Sequence, residues 1–503
     1  MFEKITPEQA GISSRQVSKF LSRCHRNGLT MHSVLMMKGD KLFTECYWAP
    51  FDKDFNHRMY SQTKSYVAVA IGLLEEEGKL DLDTPIATFF PEKIDRELPR
   101  FLAEQTVREM LTMTTCGATA SWFRLRREEP DNPLYLDRTE LYFATSSANR
   151  PAGTVWEYDS PGSQVLCNLV EKLSGMSLFD YLNEKIFKHL GTFKNATILK
   201  TSNGDSWGDS ALVCTSRDMM SFGRFVMNYG TWNGKRLMNE AYLRAATAKQ
   251  VSNNVSGFEL YNSHGYGYQI WRTEQNGFAF HGMGGQFTIC LPDKDFIFVC
   301  TGDNQGYDKY QQALFSALFE EIVEYLEDTP LPEDPAAFEA LVKGTASLTL
   351  RAVNGETSVP LAKEINGVRY DCYETPNLPK IKWFSLHFYE DKPCEFRYEN
   401  RQGEKTIYFG MGENAFGKFP QLGYSNDYGT VRTTDGFMYD CAASAAWVDP
   451  ARLLMRVQII DRYFGNMFAH FAFKGDEVSV LFTAHAEDFL GEYKGRITAK
   501  KAE

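Results

Sequence analysis

The tetrapeptide Ser61-Gln62-Thr63-Lys64 combines two residue types at a spacing that suits nucleophilic chemistry. A serine hydroxyl is a poor nucleophile at neutral pH and needs a base within hydrogen-bond reach. If Ser61 opens a helix, residues three apart share one face, so Lys64 would lie beside the hydroxyl. The N–H groups of the first helical turn would also favour an oxyanion next to Ser61. The spacing therefore predicts a serine nucleophile with its base one turn away; the alternative is a helix cap followed by a solvated lysine.

The hydrophobic pattern shows which elements would position this pair. The stretch that follows, "SYVAVAIGLL", is apolar along most of its length, which predicts a buried helix rather than an amphipathic one. Before it, "HSVLMMKGDKLFTECYW" predicts two strands joined by a turn at Gly39-Asp40. Further on, "GFAFHGMGGQFTICLPDKDFIFV" predicts a strand series. We therefore predict a first domain over residues 1–328 that mixes helices and strands.

The composition changes after this domain. The stretch "EDTPLPEDPAAFEAL" is acidic and proline-rich, which predicts a linker over residues 329–344. From residue 345 to residue 503, short strand-like stretches such as "KIKWFSLHFYE" and "CEFRYENRQGEKTIYFGMG" follow one another closely. Short strands at close spacing predict a C-terminal all-β domain, either a barrel or a sandwich.

Bulk composition limits the classes of function. The chain has 503 residues, 43 % of them apolar, which is enough for more than one core, and its net charge of -11 weighs against nucleic acid and anionic membranes as partners. Its 10 cysteines form no CxxC pair, and neither they nor the histidines show metal-ligand spacing. No apolar signal segment opens the chain, and no apolar run approaches the about 18 residues of a membrane span. We expect a soluble cytoplasmic protein.

Several blocks around the Ser61 tetrapeptide resemble the serine β-lactamase and penicillin-binding-protein superfamily, and in particular its class C-like branch of esterases, D-aminopeptidases and oligomer amidases. In chain order they are "TPEQAGISSRQVSKFL", "MYSQTKSYVAVAIGLLEEEGKLDLDTPIATFFPE", "QTVREMLTMTTCG", "WEYDSPGSQVLCNLVEKLSG", "ALVCTSRDMMSFGRF" and "HGMGGQFTICLPDKDFIFV". The resemblance implies an α+β fold, in which a mixed antiparallel sheet is flanked by helices and an all-helical lobe is inserted. It also implies an active site between the two lobes and an acyl-enzyme on Ser61, formed without metal or cofactor.

The second motif of that family, Tyr-x-Asn, corresponds here to Tyr158-Asp159-Ser160. The resemblance implies that Tyr158 shares the proton transfers with Lys64, whereas a tyrosine taken alone is more often a core aromatic with its hydroxyl satisfied. Ser160 replaces the usual asparagine. Its hydroxyl can still bond Lys64 and orient the pair, but it lacks the reach of an amide. This departure bears on β-lactam recognition more than on hydrolysis.

The stretch "HGMGGQ", beginning at His281, occupies the place of the third motif, which is usually Lys-Thr-Gly or His-x-Gly. In one register His281 takes the first position and lines the site. In the other, Gly282 and Gly284 align with the oligomer-amidase branch, which has no basic residue there. In both registers the glycines let strand backbone approach a substrate closely. An N–H near Met283 or Gly284 would join the Ser61 N–H in an oxyanion hole.

These motifs predict a serine hydrolase that cleaves an ester, amide or peptide bond in a small molecule or short peptide. Two alternatives stay open: a penicillin-recognising or binding protein with slow or lost turnover, and an acyltransferase. Four aromatic residues either wall the pocket or only pack: Trp122, Phe123, Tyr268 and Trp271.

Overall fold

The computed structural model describes residues 2–119, 137–257, 260–374, 379–421, 437–486 and 490–503. Trp122 and Phe123 lie outside these residues. The chain divides into two units, which are described separately. The first comprises Met1–Asn304 and Lys309–Thr349, and the second comprises Gln305–Asp308 and Leu350–Glu503.

A seven-stranded sheet organises the first unit. Neighbouring strands run antiparallel, except that the short first strand pairs in parallel with the third. The central strands "MHSVLMMK", "FIFVCTG" and "QFTICL" are buried at every position except Lys38, as expected for strands that are covered on both faces. Across the sheet the strands are Glu3–Lys4, Lys41–Tyr47, Met31–Lys38, Phe296–Gly302, Gln286–Leu291, Phe278–Gly282 and Trp271–Arg272.

Alternate residues of the central strands belong to two separate cores. Leu35 packs in the core that includes the helix Thr63–Glu76, whereas its neighbour Met36 packs with the helices Ser14–Arg26 and Tyr310–Glu321. This alternation follows from the two-residue period of a strand. The sheet therefore lies between two layers of helices.

A helical lobe is inserted between the strands Lys41–Tyr47 and Trp271–Arg272. Its longest helix, Ser160–Ser174, packs against Thr63–Glu76 and ends at Gly175, whose left-handed φ of 71° suits a glycine. The other helices between these two strands are Arg100–Ala103, Val107–Leu111, Arg138–Thr145, Leu178–Leu182, Lys188–Leu190, Ser216–Met227 and Glu240–Thr247, with a π-helical turn at Asn183–Phe187. Short strands pair within the same stretch: His57–Arg58, Thr197–Ile198 and Leu212–Cys214 in one sheet, and Thr231–Trp232 with Lys235–Arg236 in a hairpin. Among the described helices, none combines the length and the apolar character that crossing a bilayer requires.

The stretch predicted as a linker over residues 329–344 contains most of a helix, Pro335–Ala346, which belongs to the first unit. Its start is capped by Asp334, whose carboxylate accepts from the Ala337 N–H at 3.0 Å. Pro335 stands at the first helical position, where its missing N–H costs nothing, so the proline starts the helix rather than breaking it. Leu341 is buried in the core of the Ser14–Arg26 layer.

Ten strands of the second unit form one sheet, and parallel pairing of Gly403–Met411 with Asp440–Asp449 closes it into a barrel. A short helix, Pro360–Glu364, precedes the barrel. The strands in chain order are Arg369–Cys372, Trp383–His387, Cys394–Asn400, Gly403–Met411, Ala415–Lys418, Asp440–Asp449, Arg452–Ile460, Phe464–Lys474, Glu477–His485 and Gly495–Lys501.

Aromatic rings occupy the interior of the barrel. Phe384 lies 5.5 Å from Tyr370 and 5.6 Å from Phe471 between ring centroids. Along Glu477–His485 every second residue is buried, as the strand period requires. The predicted α+β fold, with a mixed sheet, a helical lobe and a C-terminal β-barrel, is thus confirmed.

Candidate active site

Ser61 lies in a single 3-10 turn, Tyr60–Gln62, which runs directly into the helix Thr63–Glu76. Tyr60 has a left-handed φ of 48°, which is uncommon for a residue with a side chain. The hydroxyl of Thr63 donates to the Tyr60 carbonyl at 2.7 Å and accepts from the Leu212 N–H at 3.0 Å. These bonds fix the turn that presents Ser61.

Lys64 comes one turn later and is 2 % exposed. Its Nζ donates to Ser61 Oγ at 3.0 Å and to the backbone carbonyl of Asp209 at 2.5 Å. The helical spacing of three residues is what brings the two side chains together. A hydroxyl in hydrogen-bond contact with an amine is the arrangement in which the amine can take the proton of the hydroxyl.

Tyr158 approaches Lys64 with the face of its ring: the ring centroid is 5.2 Å from Lys64 Nζ. Trp271 stacks on Tyr158, with 5.8 Å between the ring centroids. The ring is 37 % exposed. The segment before it is anchored because the Glu157 N–H donates to the Met113 carbonyl at 2.9 Å. The structure therefore brings Ser61, Lys64 and Tyr158 together.

Ser160 is the first residue of the helix Ser160–Ser174, and Asp159 caps that helix by accepting from the Gly162 N–H at 2.9 Å. Burial raises the pKa of the Asp159 carboxyl to about 6, and the Gly162 N–H, the Thr115 hydroxyl and the charge of Lys64 oppose that rise. Among the contacts of the described residues, none joins the Ser160 hydroxyl to Lys64. The orienting role of Ser160 therefore stays a prediction.

His281 lies in the strand Phe278–Gly282 with its ring stacked on Phe287, 4.4 Å between centroids. Gln311 donates from Nε2 to His281 Nε2 at 2.8 Å, which assigns the ring proton to Nδ1. Burial, and then the charge of Lys64, lower the pKa of His281 to about 3, so the ring is neutral at physiological pH. The described contacts thus hold His281 as a neutral hydrogen-bond acceptor beside the site.

Gly282 brings this strand against the nucleophile turn. A Cβ on Gly282 would lie 2.0 Å from the Met59 carbonyl oxygen, so no other residue fits without moving the backbone. Next in the chain, Met283 is 38 % exposed, and Gly284 has a left-handed φ of 83°. The Gly284 N–H donates to the Tyr310 hydroxyl at 3.2 Å, so this amide is already engaged.

The two described aromatic candidates differ in their surroundings. Trp271 stacks on Tyr158 and meets His281 edge-on at 5.8 Å, so it forms part of the wall beside the site. Tyr268 is buried, and its hydroxyl accepts from Arg108 Nη1 at 2.6 Å. Trp271 therefore walls the site, while Tyr268 packs.

Sequence reasoning missed the backbone carbonyl of Asp209, the capping carboxyl of Asp159 and the hydroxyl of Tyr310. A carbonyl contact carries no residue-type signal, so nothing in the sequence marks position 209. Asp159 was readable as an N-cap, because it stands directly before a proline-containing helix start. Within the described part of the chain, no cluster of three or more histidine, cysteine or acidic residues is arranged to hold a metal ion.

The candidate site thus combines a helical start that presents Ser61 and Lys64, Tyr158 from the inserted helical lobe, and the glycine-containing end of the strand Phe278–Gly282. A family model described as Beta-lactamase matches residues 16–334. The chain therefore belongs to the beta-lactamase family, which confirms the resemblance in its motifs.

Known proteins resemble the chain at low identity. A 6-aminohexanoate-dimer hydrolase of Paenarthrobacter ureafaciens is 23 % identical over 286 residues, which cover 53 % of this chain and 71 % of that protein. The structure of an octameric penicillin-binding protein homologue from Pyrococcus abyssi has a TM-score of 0.50 and 16 % identity, and the match covers 97 % of this chain and 99 % of that one. The hydrolase EstCE1, with promiscuous acyltransferase activity, has a TM-score of 0.50 and 14 % identity over 61 % of this chain and 98 % of its own. The structural likenesses show a shared fold, and the family includes hydrolases.

Proposed function

We propose that this protein is a serine hydrolase that cleaves an ester, amide or peptide bond through a covalent acyl-enzyme on Ser61. The observation that carries the proposal is the 3.0 Å bond from Lys64 Nζ to Ser61 Oγ, made by a lysine that is 2 % exposed. The beta-lactamase family and the 6-aminohexanoate-dimer hydrolase relative support hydrolysis as the reaction class.

In the proposed reaction, Ser61 Oγ attacks the substrate carbonyl carbon, and Lys64 takes the proton of the hydroxyl. The carbonyl π electrons move onto oxygen, and the Ser61 N–H and the Met283 N–H stabilise the resulting oxyanion. When the tetrahedral intermediate collapses, the bond to the alcohol or amine breaks, and that leaving group receives the proton through Lys64 and Tyr158. Water then attacks the acyl-enzyme with the same groups in reverse order, which releases the acid and restores Ser61.

The surroundings of Tyr158 favour a substrate with an apolar portion. Trp271 and Trp156 form an aromatic wall next to Tyr158, with centroids of the two tryptophan rings 5.6 Å apart. Aromatic walls bind apolar surface and leave a few polar groups to fix orientation. Small linear amides, including the 6-aminohexanoate dimer named for the relative, and p-nitrophenyl esters therefore form the first substrate panel.

The test is labelling with a fluorophosphonate probe followed by mass spectrometry, together with turnover on that panel. We expect one adduct on Ser61 in the wild type, none in Ser61→Ala, and multiple turnovers of at least one substrate. The matched control Ser18→Ala changes an ordinary helix serine, which donates to the Ser14 carbonyl, and should label like the wild type.

The alternatives have their own outcomes. No adduct on Ser61, or the same adduct in Ser61→Ala, contradicts the proposal. A single burst of acylation without steady turnover would instead indicate a penicillin-recognising or binding protein. Products formed with an added alcohol or amine, in preference to hydrolysis, would indicate an acyltransferase.

A further inference from the structure

The turn Met283–Gly285 contains the Met283 N–H, which the proposed oxyanion hole uses, and several backbone groups that already make hydrogen bonds. The Gly284 carbonyl accepts from the Asn304 N–H at 2.9 Å and from Asn304 Nδ2 at 3.0 Å. The Met283 carbonyl accepts from Gln286 Nε2 at 2.9 Å. The Gly284 N–H donates to Tyr310. Of the Met283 and Gly284 amides, the Met283 N–H is therefore the one for which the described contacts show no acceptor.

Tyr310 is the group from outside the sheet that holds the turn. Its hydroxyl accepts from the Gly284 N–H at 3.2 Å, and its ring lies under Gly285, where a Cβ would meet ring carbon Cε2 at 3.7 Å. Gly285 has a left-handed φ of 106°, so the turn depends on its neighbours to keep this path.

The Tyr310 hydroxyl is itself fixed by a second layer of side chains. Gln311 Nε2 donates to the Tyr310 hydroxyl at 2.9 Å and to His281 Nε2 at 2.8 Å. The Gln311 Oε1 accepts from the hydroxyl of Tyr261, so the amide has one orientation that satisfies all three partners. The Tyr310 hydroxyl therefore accepts two hydrogen bonds, from the Gly284 N–H and from Gln311 Nε2, and together they restrict its orientation.

From these contacts we propose that Tyr310 is a positioning residue for the oxyanion hole, a proposal that rests on the proposed function. By accepting from the Gly284 N–H, the Tyr310 hydroxyl keeps that amide turned away from the substrate and leaves the Met283 N–H directed toward the oxyanion. Gly282, packed against the Met59 carbonyl, holds the same strand next to the Ser61 turn. Tyr310 acts through the turn and does not touch the substrate.

The test is Tyr310→Phe, which removes only the hydroxyl, compared with Tyr325→Phe, which changes a tyrosine that is 53 % exposed. Misplacing an oxyanion donor costs transition-state binding, so we expect kcat to fall about tenfold or more with KM within about twofold. Affinity for a boronate transition-state analogue should fall by the same factor as kcat/KM, whereas Tyr325→Phe should match the wild type in all three quantities.

Other outcomes are equally definite. If Tyr310→Phe keeps kcat/KM and boronate affinity within about twofold of the wild type, the proposal is overturned. If it lowers the melting temperature but leaves kcat per titrated active site unchanged, Tyr310 is only structural, and the proposal is again overturned. Should Tyr310→Phe fail to fold, Gln311→Leu tests the same hydroxyl indirectly, with a smaller loss of kcat expected and an unchanged kcat contradicting it. Absence of a Ser61 adduct in the wild type would overturn the proposed function itself.

Discussion

Two titratable groups near Lys64, the buried Asp159 and the half-buried His281, have pKa values that shift in opposite directions. Burial raises the pKa of the Asp159 carboxyl to about 6 and lowers the pKa of the His281 imidazole to about 3. Both shifts favour the neutral form, because a low-dielectric environment penalises either sign of charge. Near the proposed base Lys64, the environment thus disfavours the charged forms of both Asp159 and His281.

Asp159→Asn should stabilise the protein at neutral pH. Because the folded pKa of about 6 lies above the unfolded value of 3.8, the folded state binds more protons between these values, and stability falls as pH rises through them. Asparagine keeps the cap on the Gly162 N–H and removes the charge, so we expect a gain of up to about 3 kcal/mol in unfolding free energy at pH 7.5 and little gain at pH 4.

Urea unfolding at the two pH values measures this gain. Asp334→Asn is the matched control, since Asp334 also caps a helix, but the Ala337 N–H and Arg15 lower the pKa of its exposed carboxyl. That variant should gain nothing at pH 7.5. A loss of stability in Asp159→Asn at pH 7.5 would contradict the assignment of a costly buried charge.

His281→Asn should make stability less sensitive to acid. The folded pKa of about 3 lies below the unfolded value of 6.5, so the folded state binds fewer protons in this window, and stability is lost as pH falls through it. Asparagine can still accept from Gln311 and does not titrate. The decrease in urea midpoint from pH 7 to pH 4.5 should therefore be smaller in His281→Asn than in the wild type.

The control for this experiment is His25→Asn, which changes an exposed histidine in the helix Ser14–Arg26. It should reproduce the pH dependence of the wild type. Equal pH dependence in the wild type and His281→Asn would show that His281 is not held neutral.

At the scale of elements, the close approach of the strand Phe278–Gly282 to the nucleophile turn links the two halves of the proposed oxyanion hole. The turn is held from the other side by the strand Leu212–Cys214, because the Met59 N–H donates to the Leu212 carbonyl at 2.8 Å. Neither contact involves the residues that would react. Secondary-structure elements, rather than side chains alone, therefore set the distance between Ser61 and the glycine-rich turn.

Gly282→Ala should separate these elements. Its Cβ would lie 2.0 Å from the Met59 carbonyl oxygen, and backbone must move to relieve that contact. We expect a loss of about 1–3 kcal/mol in unfolding free energy and a fall of about tenfold or more in kcat/KM. Thermal unfolding and steady-state kinetics check the two effects.

Gly344→Ala gives a control of opposite sign. Gly344 lies inside the helix Pro335–Ala346, and a Cβ there would have no atom within 4 Å. Alanine should stabilise the helix by about 0.5–1 kcal/mol without changing kcat/KM. If Gly282→Ala behaved like Gly344→Ala, the close approach would have no functional consequence.

The sequence predicts local relations better than long-range ones. Ser61 and Lys64 are three residues apart in one helix, so periodicity alone predicts their contact. The apolar runs of the strands predict their existence, but not that Met31–Lys38 pairs with Phe296–Gly302, because many apolar strands satisfy the same pattern. The contact of Tyr310 with Gly284 joins a helix to a turn 26 residues earlier in the chain, and no local pattern in the sequence predicts it.

At the scale of the whole molecule, every residue proposed to act in the reaction belongs to the first unit, and the second unit is a barrel filled with aromatic rings. The nucleophile, the proton-transfer groups and the oxyanion donors of the proposed reaction are all side chains or backbone amides of the first unit. The reaction, as proposed, therefore uses no metal ion or cofactor.

Exhaustive dialysis against EDTA should accordingly leave turnover of the ester panel within about twofold of the untreated protein, since the acyl-enzyme chemistry uses only protein groups. The measurement compares initial rates before and after dialysis. A mock dialysis without chelator is the control. Loss of activity that returns on adding a divalent cation would contradict this expectation.

The main-chain acceptor of Lys64 has a consequence for how this site tolerates mutation. Lys64 Nζ donates to the carbonyl oxygen of Asp209, an atom that every amino acid carries. Substituting the Asp209 side chain therefore leaves this acceptor chemically intact, and only a change in the path of the backbone would remove it. Substitutions at position 209 are therefore expected to leave this hydrogen bond of Lys64 in place, although the two residues are in direct contact.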